Sequence, residues 1–307
     1  MKPLVIYHGG GCTDGFGAAF AAWCKLGDDA EYVPMHYGDP LPPIDGRAVY
    51  VLDFSFPRQE TELLCSDTAS FVWLDHHKTA FEMWCQDGER NRCEQGGGYN
   101  YILLDNNKSG ALLAWEYFHP EKDVPYLISR IDDRDRWVFK LHDSKALHAG
   151  LQLRKPWSFR EWAQLVPAMG GSSTNLAKVI GEGNTALKVY DEQIKQSVRK
   201  AERCTLFYRD FDAKPVQTAD DEAILCFEGL AVNTPNNISE VGNELAKASG
   251  SYGLVWYHDG ATGRANCSLR SIGEYDVSAI AKAFGGGGHR NAAGFNIDMS
   301  TLLGWLK

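Results

Sequence analysis

No two of the eight cysteines stand as C-x-x-C, which excludes a zinc ribbon and a thioredoxin-type redox pair; most of Cys12, Cys24, Cys65, Cys85, Cys93, Cys204, Cys226 and Cys267 are expected as buried reduced thiols. Long apolar runs are missing as well. No stretch approaches the roughly 18 uninterrupted apolar residues of a membrane helix, and the first residues carry neither a basic segment nor a sustained apolar one. The expectation is a cytoplasmic protein with no membrane partner. Positive charge is also scarce, with 31 Lys and Arg against 40 Asp and Glu and a formal net charge of −9. Such a surface does not hold long duplex DNA by phosphate neutralisation, so a phosphorylated ligand should be short. What is present is ample core material: 307 residues at 44% hydrophobic make one large domain or two ordinary ones.

Apolar runs at 3–7, 48–52, 70–74 and 101–104 alternate with helical patterns at Gly15–Leu26 and Ser109–Phe118. Alternation of this kind predicts βαβ units and a mostly parallel sheet covered on both faces. Glu31–Met35 reads as a weaker strand that Pro34 demotes to an edge. Residues 86–98 read as a surface loop, and 123–170 carry several helical stretches. Beyond the Gly170–Thr174 break, residues 175–203 form a long polar helix, read as a connector. From Thr205 the pattern turns strand-like at 205–208, 223–227, 230–232 and 252–257, with helices at 239–249 and 276–284. The fold class is therefore α/β: an N-terminal domain at 1–174, a linker helix at 175–203 and a smaller α/β domain with a mixed sheet at 204–307.

Three of the apolar runs end in side chains that bind metals. The first delivers His8, Cys12 and Asp14, the second Asp53, and the third Asp75, His76 and His77. In open parallel sheets the chemistry sits beyond the strands' carboxyl ends. The loop His8-Gly9-Gly10-Gly11-Cys12-Thr13-Asp14-Gly15 lacks the Gly-Lys-Ser/Thr of a phosphate loop, and Asp14 and Phe20 break the dinucleotide glycine pattern. A carboxylate there repels phosphate and attracts a cation. Taken singly, Asp14 reads as a helix N-cap and Asp53 as a turn residue. Three strand ends each supplying Asp or His read together as a two-metal site, with ions roughly 3.5–4 Å apart.

Near the other end, Gly285-Gly286-Gly287-Gly288-His289 leads into Arg290-Asn291-Ala292-Ala293-Gly294. A row of bare amides can make a concave anion nest. Upstream, Arg270 in Ser268-Leu269-Arg270-Ser271 can grip a phosphate bidentately.

These motifs, in this order, resemble the DHH phosphoesterase superfamily, which includes RecJ-type exonucleases, nanoRNases, cyclic-dinucleotide phosphodiesterases and family II pyrophosphatases. Asp75-His76-His77 is the naming triad. The glycine-histidine segment resembles the signature of the DHH-associated C-terminal domain. The resemblance implies one metal held by His8, Asp53 and the residue at 12, and a second held by Asp14, Asp53, His76 and an acid within Asp132-Asp133-Arg134-Asp135. Asp133 is favoured, with Asp135 as the alternative. It also implies that Asp53 bridges, that Asp75 orients a histidine, that His77 lies near the scissile phosphate, and that Arg270 and His289, with Gly287, Gly288 and Asn291, contact substrate. Mn²⁺ is the expected ion, with Mg²⁺, Zn²⁺ or Fe²⁺ as alternatives. Position 12 departs from the family's aspartate, and a thiolate there tilts the first site toward Zn²⁺ or Fe²⁺.

The function so implied is metal-dependent hydrolysis of a phosphodiester or phosphomonoester in a short oligonucleotide, dinucleotide or nucleotide derivative, by a hydrolase of the phosphodiesterase or exonuclease type, with a homodimer left open. Two alternatives are a pyrophosphate or polyphosphate hydrolase and a nucleotide-binding sensor with an impaired site.

Overall fold

The computed structural model describes residues 1–85, 92–167, 170–209 and 224–306. They divide into two compact units, Met1–Leu187 and Lys188–Lys307.

The first unit holds six strands: β1 (Leu4–His8), β2 (Glu31–Met35), β3 (Ala48–Leu52), β4 (Ser70–Asp75), β5 (Arg92–Gly97) and β6 (Asn100–Asp105). Its helices are α1 (Thr13–Leu26), α2 (Arg58–Asp67), α3 (Lys78–Trp84), α4 (Gly110–Phe118), α5 (Tyr126–Asp135), α6 (Ser144–Gln152), α7 (Phe159–Ala163) and most of α8 (Ser173–Arg199). The sheet runs β2-β1-β3-β4-β6-β5. Every neighbouring pair is parallel except β5 with β6. Buried strands explain the continuous apolar runs, because both sheet faces are covered. One face packs Val5, Leu52 and Leu74 with Phe20, Leu113 and Ile128; the other packs Leu4, Val51 and Trp73 with Phe54 and Leu64.

Pro34 sits in β2 opposite Tyr7, and β2 is the sheet's edge, where a missing donor costs little. The loop expected at 86–98 is corrected in part. Residues 92–97 are the antiparallel edge strand β5, pinned to β6 by an ion pair between Arg92 and Asp105 at 3.0 Å. Residues 86–91 lie outside the described residues.

The second unit carries β7 (Glu202–Arg209), β8 (Ile224–Asn233), α9 (Ile238–Ser249), β9 (Tyr252–Asp259), β10 (Arg264–Ser271), α10 (Val277–Ala283), β11 (Gly287–His289), β12 (Ala292–Asp298) and α11 (Met299–Leu303). Its sheet, ordered β11-β12-β10-β9-β8-β7, is mixed, with β8 parallel to β9 and the other pairs antiparallel. The two strands expected at 223–227 and 230–232 are one, continuous through Gly229; Ala223 lies outside the described residues.

Helix α8 is shared between the units. Leu176 and Val179 belong to the first unit's core, whereas Ile194 and Val198 pack on Val241 and Leu245 of the second. Among the described residues, no helix is long and apolar enough to cross a membrane.

Candidate metal centre

The strands β1, β3 and β4 are neighbours, and their carboxyl ends deliver the donors side by side. After β1, Gly9 N–H bonds to Met35 O at 2.9 Å, and Cys12 becomes the N-cap of α1. Its Sγ accepts from Gly15 N–H at 3.5 Å. Gly15 must be glycine, because a Cβ there would meet His8 Cβ at 2.8 Å. Bare backbone thus lets the first turn of α1 lie against the end of β1.

Asp14 does not cap its own helix. It is fully buried, and its two oxygens accept from Gly110 N–H at 2.7 Å and Ala111 N–H at 2.9 Å, the free amides that open α4. Burial, followed by the charges of Asp53 and Asp135, pushes its carboxyl well above the usual range.

Asp53 follows β3 with φ 54°, a left-handed conformation that a non-glycine residue adopts at a cost of about 1–3 kcal/mol. The turn aims its two oxygens in different directions. Oδ1 lies 3.1 Å from His76 Nε2 and 4.0 Å from His77 Nδ1, while Oδ2 lies 3.7 Å from His8 Nδ1 and 3.8 Å from Cys12 Sγ. Burial alone would raise its carboxyl, but His76, His8 and the charge of His77 outweigh burial and hold it far below the usual range.

Asp75 closes β4 and is fully buried. Its Oδ1 accepts from the amides of His76 and His77 and from His77 Nδ1 at 2.7 Å. That carboxylate holds a proton at His77 Nδ1. Against the opposing effect of burial, Asp75 pushes the His77 imidazole up to about 10, and Asp53 pushes His76 up to about 9.

The acids at the end of α5 separate. Asp132 Oδ1 accepts from Ser109 N–H at 2.8 Å. Asp133, the ligand favoured from sequence, accepts from Lys140 N–H at 2.8 Å, Leu141 N–H at 3.2 Å and Ser144 Oγ at 2.5 Å, bonds that hold the 140–144 turn. Asp135, the alternative, lies 3.5 Å from His76 Nε2.

Two donor sets result. His8, Cys12 and Asp53 form one, and Asp14, His76 and Asp135 the other, the donor atoms of each lying within 4.8 Å of one another. Asp53 also groups with Asp75, His76 and His77. The residues fit divalent cations on two counts. Asp14, Asp53, Asp75 and His76 crowd together away from water, and the atoms His8 Nδ1 and Asp75 Oδ2 are buried without a hydrogen-bond partner.

Sequence reasoning missed three neighbours. Tyr37 stacks on Phe54 with ring centroids 5.0 Å apart. Lys155 lies over Gly11, its ammonium 4.9 Å from the Trp157 ring. His148 meets the Thr13 hydroxyl at 3.2 Å. Tyr37 alone had a signal, an aromatic in a polar turn just past a strand end.

In the second unit Arg270 lies on β10, its guanidinium donating to Leu269 O at 2.8 Å and Ser239 Oγ at 2.7 Å. Gly242 on α9 leaves room for its stem, since a Cβ there would meet Arg270 Cγ at 2.8 Å. The end of the glycine row, expected as an anion nest, forms a strand. Gly287–His289 pairs with Ala292–Gly294, and a Cβ on Gly288 would meet Ala292 O at 2.5 Å. Asn291 also holds the fold together locally, because its Nδ2 donates to Ser271 Oγ at 2.9 Å and to Gly273 O and Tyr275 O at 3.3 Å. His289 is half-buried at the end of β11.

An α/β unit with carboxylates and imidazoles at three adjacent strand ends, followed by a mixed-sheet unit with a glycine-histidine edge, defines a class. Residues 226–303 match the family model of the DHHA1 domain. The Asp75-His76-His77 triad stands in the unit that precedes it. An uncharacterized protein of Acanthamoeba polyphaga mimivirus is 28% identical over 310 residues, which cover 95% of this chain and 66% of the viral protein. The chain thus spans just under two thirds of that relative's length. Two solved structures are similar over nearly the whole chain. The pGpG-specific phosphodiesterase PggH of Vibrio cholerae has 11% identity and a TM-score of 0.48, covering 98% of this chain and 94% of its own. RecJ of Thermus thermophilus with Mn²⁺ has 13% identity and a TM-score of 0.46, covering 99% of this chain and 50% of its own.

Proposed function

We propose that the chain is a metal-dependent phosphoesterase that hydrolyses a phosphodiester or phosphomonoester in a short oligonucleotide or nucleotide derivative. The observation that carries this reading is Asp53, whose two oxygens face two different donor sets, His8 with Cys12 and His76 with His77. A lone structural carboxylate has no need of two such faces. Divalent cations in these sets would supply a water acidic enough to attack phosphorus and would offset charge on the phosphate oxygens. His8, Cys12 and Asp53 would hold one, and Asp14, Asp53, His76 and Asp135 the other, with Mn²⁺ the expected ion.

The protein's own groups do the rest. Asp14, anchored by two amides of α4, keeps its place without a cation, so the site is preorganised. Asp75 fixes the His77 ring through Nδ1, which orients that imidazole for a phosphate oxygen. Arg270 and His289 of the second unit would contact substrate phosphate, with the Gly287–Gly288 edge beside them. In this division the first unit hydrolyses, the second selects and α8 connects.

The test is incubation of the purified chain with short oligoribonucleotides and, separately, pyrophosphate, in Mn²⁺, Mg²⁺ or Zn²⁺. Mononucleotide release that disappears in Asp53→Ala supports the proposal. Phosphate from pyrophosphate alone would favour the pyrophosphatase reading, and tight nucleotide binding without product would favour the sensor.

A further inference from the structure

Tyr37 is a large aromatic that folding leaves 59% exposed, in the turn that follows the edge strand β2. It is not a loose side chain. One face of its ring lies on Phe54, with centroids 5.0 Å apart and planes 24° from parallel. Phe54 is itself buried and packs edge-on against Phe56 at 5.1 Å, so the platform beneath Tyr37 is rigid. Phe54 also adjoins Asp53, and the Tyr37 ring stands 5.9 Å from the imidazole of His8. An aromatic ring backed by Phe54, on a residue left 59% exposed, thus stands 5.9 Å from the imidazole of a first-set donor.

We infer that Tyr37 is a stacking platform for a nucleobase and that the substrate carries a base on the nucleotide whose phosphate enters the His8–Cys12–Asp53 side. The inference rests on the phosphoesterase reading and adds to it the residue that would hold the base of its nucleotide substrate. A base and its own phosphate are separated by one sugar, which is the scale on which Tyr37 and His8 are separated. Polyphosphate and pyrophosphate have nothing to lay on this surface. Stacking discriminates little between bases, because each has a π-face, so one platform predicts weak sequence preference.

Stacking on one aromatic contributes about 1–3 kcal/mol per base, which corresponds to roughly a 5- to 150-fold change in affinity. The experiment compares wild type, Tyr37→Phe and Tyr37→Ala on a dinucleotide and on a base-free phosphodiester such as dimethyl phosphate or an abasic dinucleotide. The expected result is a KM for the dinucleotide at least fivefold higher in Tyr37→Ala, little change in kcat, near wild-type behaviour in Tyr37→Phe, and no effect on the base-free ester. Binding of a nucleotide to the metal-stripped protein, followed by quenching of tyrosine fluorescence, gives a second readout free of catalysis. Equal loss in Tyr37→Phe and Tyr37→Ala would assign the role to the hydroxyl and overturn the platform. So would an unchanged dinucleotide KM in Tyr37→Ala, with the phosphoesterase reading intact. If wild type cleaves base-free esters or pyrophosphate but neither binds nor cleaves nucleotides, the inference fails together with the nucleotide part of that reading.

Discussion

Gly110 is the most exposing single position at which to test the metal centre, because it touches both proposed carboxylates in different ways. Its amide donates to Asp14 Oδ2 at 2.7 Å, and its bare Cα leaves space for Asp53. A Cβ at 110 would lie 2.4 Å from Asp53 Cβ, 2.7 Å from its Oδ1 and 2.8 Å from its Cγ, against 3.4 Å for ordinary contact. The Asp53 side chain must then retreat by about 1.0 Å from its Cβ outward, several times the roughly 0.2 Å latitude of a metal ligand. Rotation about χ1 leaves Asp53 Cβ in place, so the shift falls on a backbone already held at φ 54°. In Gly110→Ala the metal affinity, read by competition with a chromogenic chelator, should fall at least tenfold. Stability should fall by about 1–3 kcal/mol, the cost of overpacking, which leaves a folded protein in which to measure the metal. Gly181→Ala is the control, since nothing lies within 4 Å of its added Cβ. Wild-type metal affinity in a folded Gly110→Ala would refute Asp53 as the shared ligand.

Asp133 and Asp135 should part company. Asp135→Asn should weaken metal binding and leave chemical denaturation nearly unchanged, whereas Asp133→Asn should lower stability by about 1–3 kcal/mol with metal stoichiometry kept, because Asp133 holds Lys140, Leu141 and Ser144. Cys12 should coordinate as thiolate: cobalt-loaded wild type is expected to show a sulfur-to-metal charge-transfer band that Cys12→Ser lacks, and Cys12→Asp should shift preference from Zn²⁺ toward Mn²⁺ at least tenfold. A band surviving in Cys12→Ser would place the thiolate elsewhere. His148 should make the fold acid-sensitive. Burial, with Arg134 and Lys155 nearby, pushes its imidazole down to about 3, below the ordinary 6.5, so the folded state prefers it neutral. Its contribution is complete above about pH 6.5 and is lost as pH falls toward 3, at up to about 1.4 kcal/mol per pH unit. Urea midpoints for His148→Gln should therefore decline less steeply below pH 6 than those of wild type.

The strands β1, β3, β4 and β6 were legible because burial on both faces writes them as unbroken apolar runs. β5 was not, since an edge strand with one buried side chain, Cys93, reads as Arg-Cys-Glu-Gln-Gly-Gly, a loop by composition. Its strand state comes from pairing with β6, a long-range cause that local pattern does not carry. β11 was hidden for a related reason. Its glycines read as a loop, yet Gly286 and Gly288 are glycine because Phe295 and Ala292 leave no room for a Cβ. Gly286 and Gly288 thus meet a packing demand inside a row read for anion binding, and composition alone does not separate the two.

His8, Asp53 and Asp75-His76 were legible as a group because each stands at the end of a recognisable strand, whereas Cys12 and Asp14 stand at the start of α1. The α5 acids needed helix geometry. Successive residues on a helix turn by roughly 100°, so Asp133 and Asp135 point in nearly opposite directions and cannot both serve one ion. Asp132 and Asp135, three apart, share a side. Asp132 bonds to Ser109 N–H, next to the Gly110 amide that Asp14 accepts, which turns that side of α5 toward the centre. Asp135 follows it there, and Asp133 is left to the 140–144 turn. The pairing of 132 with 135 was available in the sequence; what the sequence did not supply was which side of α5 faces the sheet.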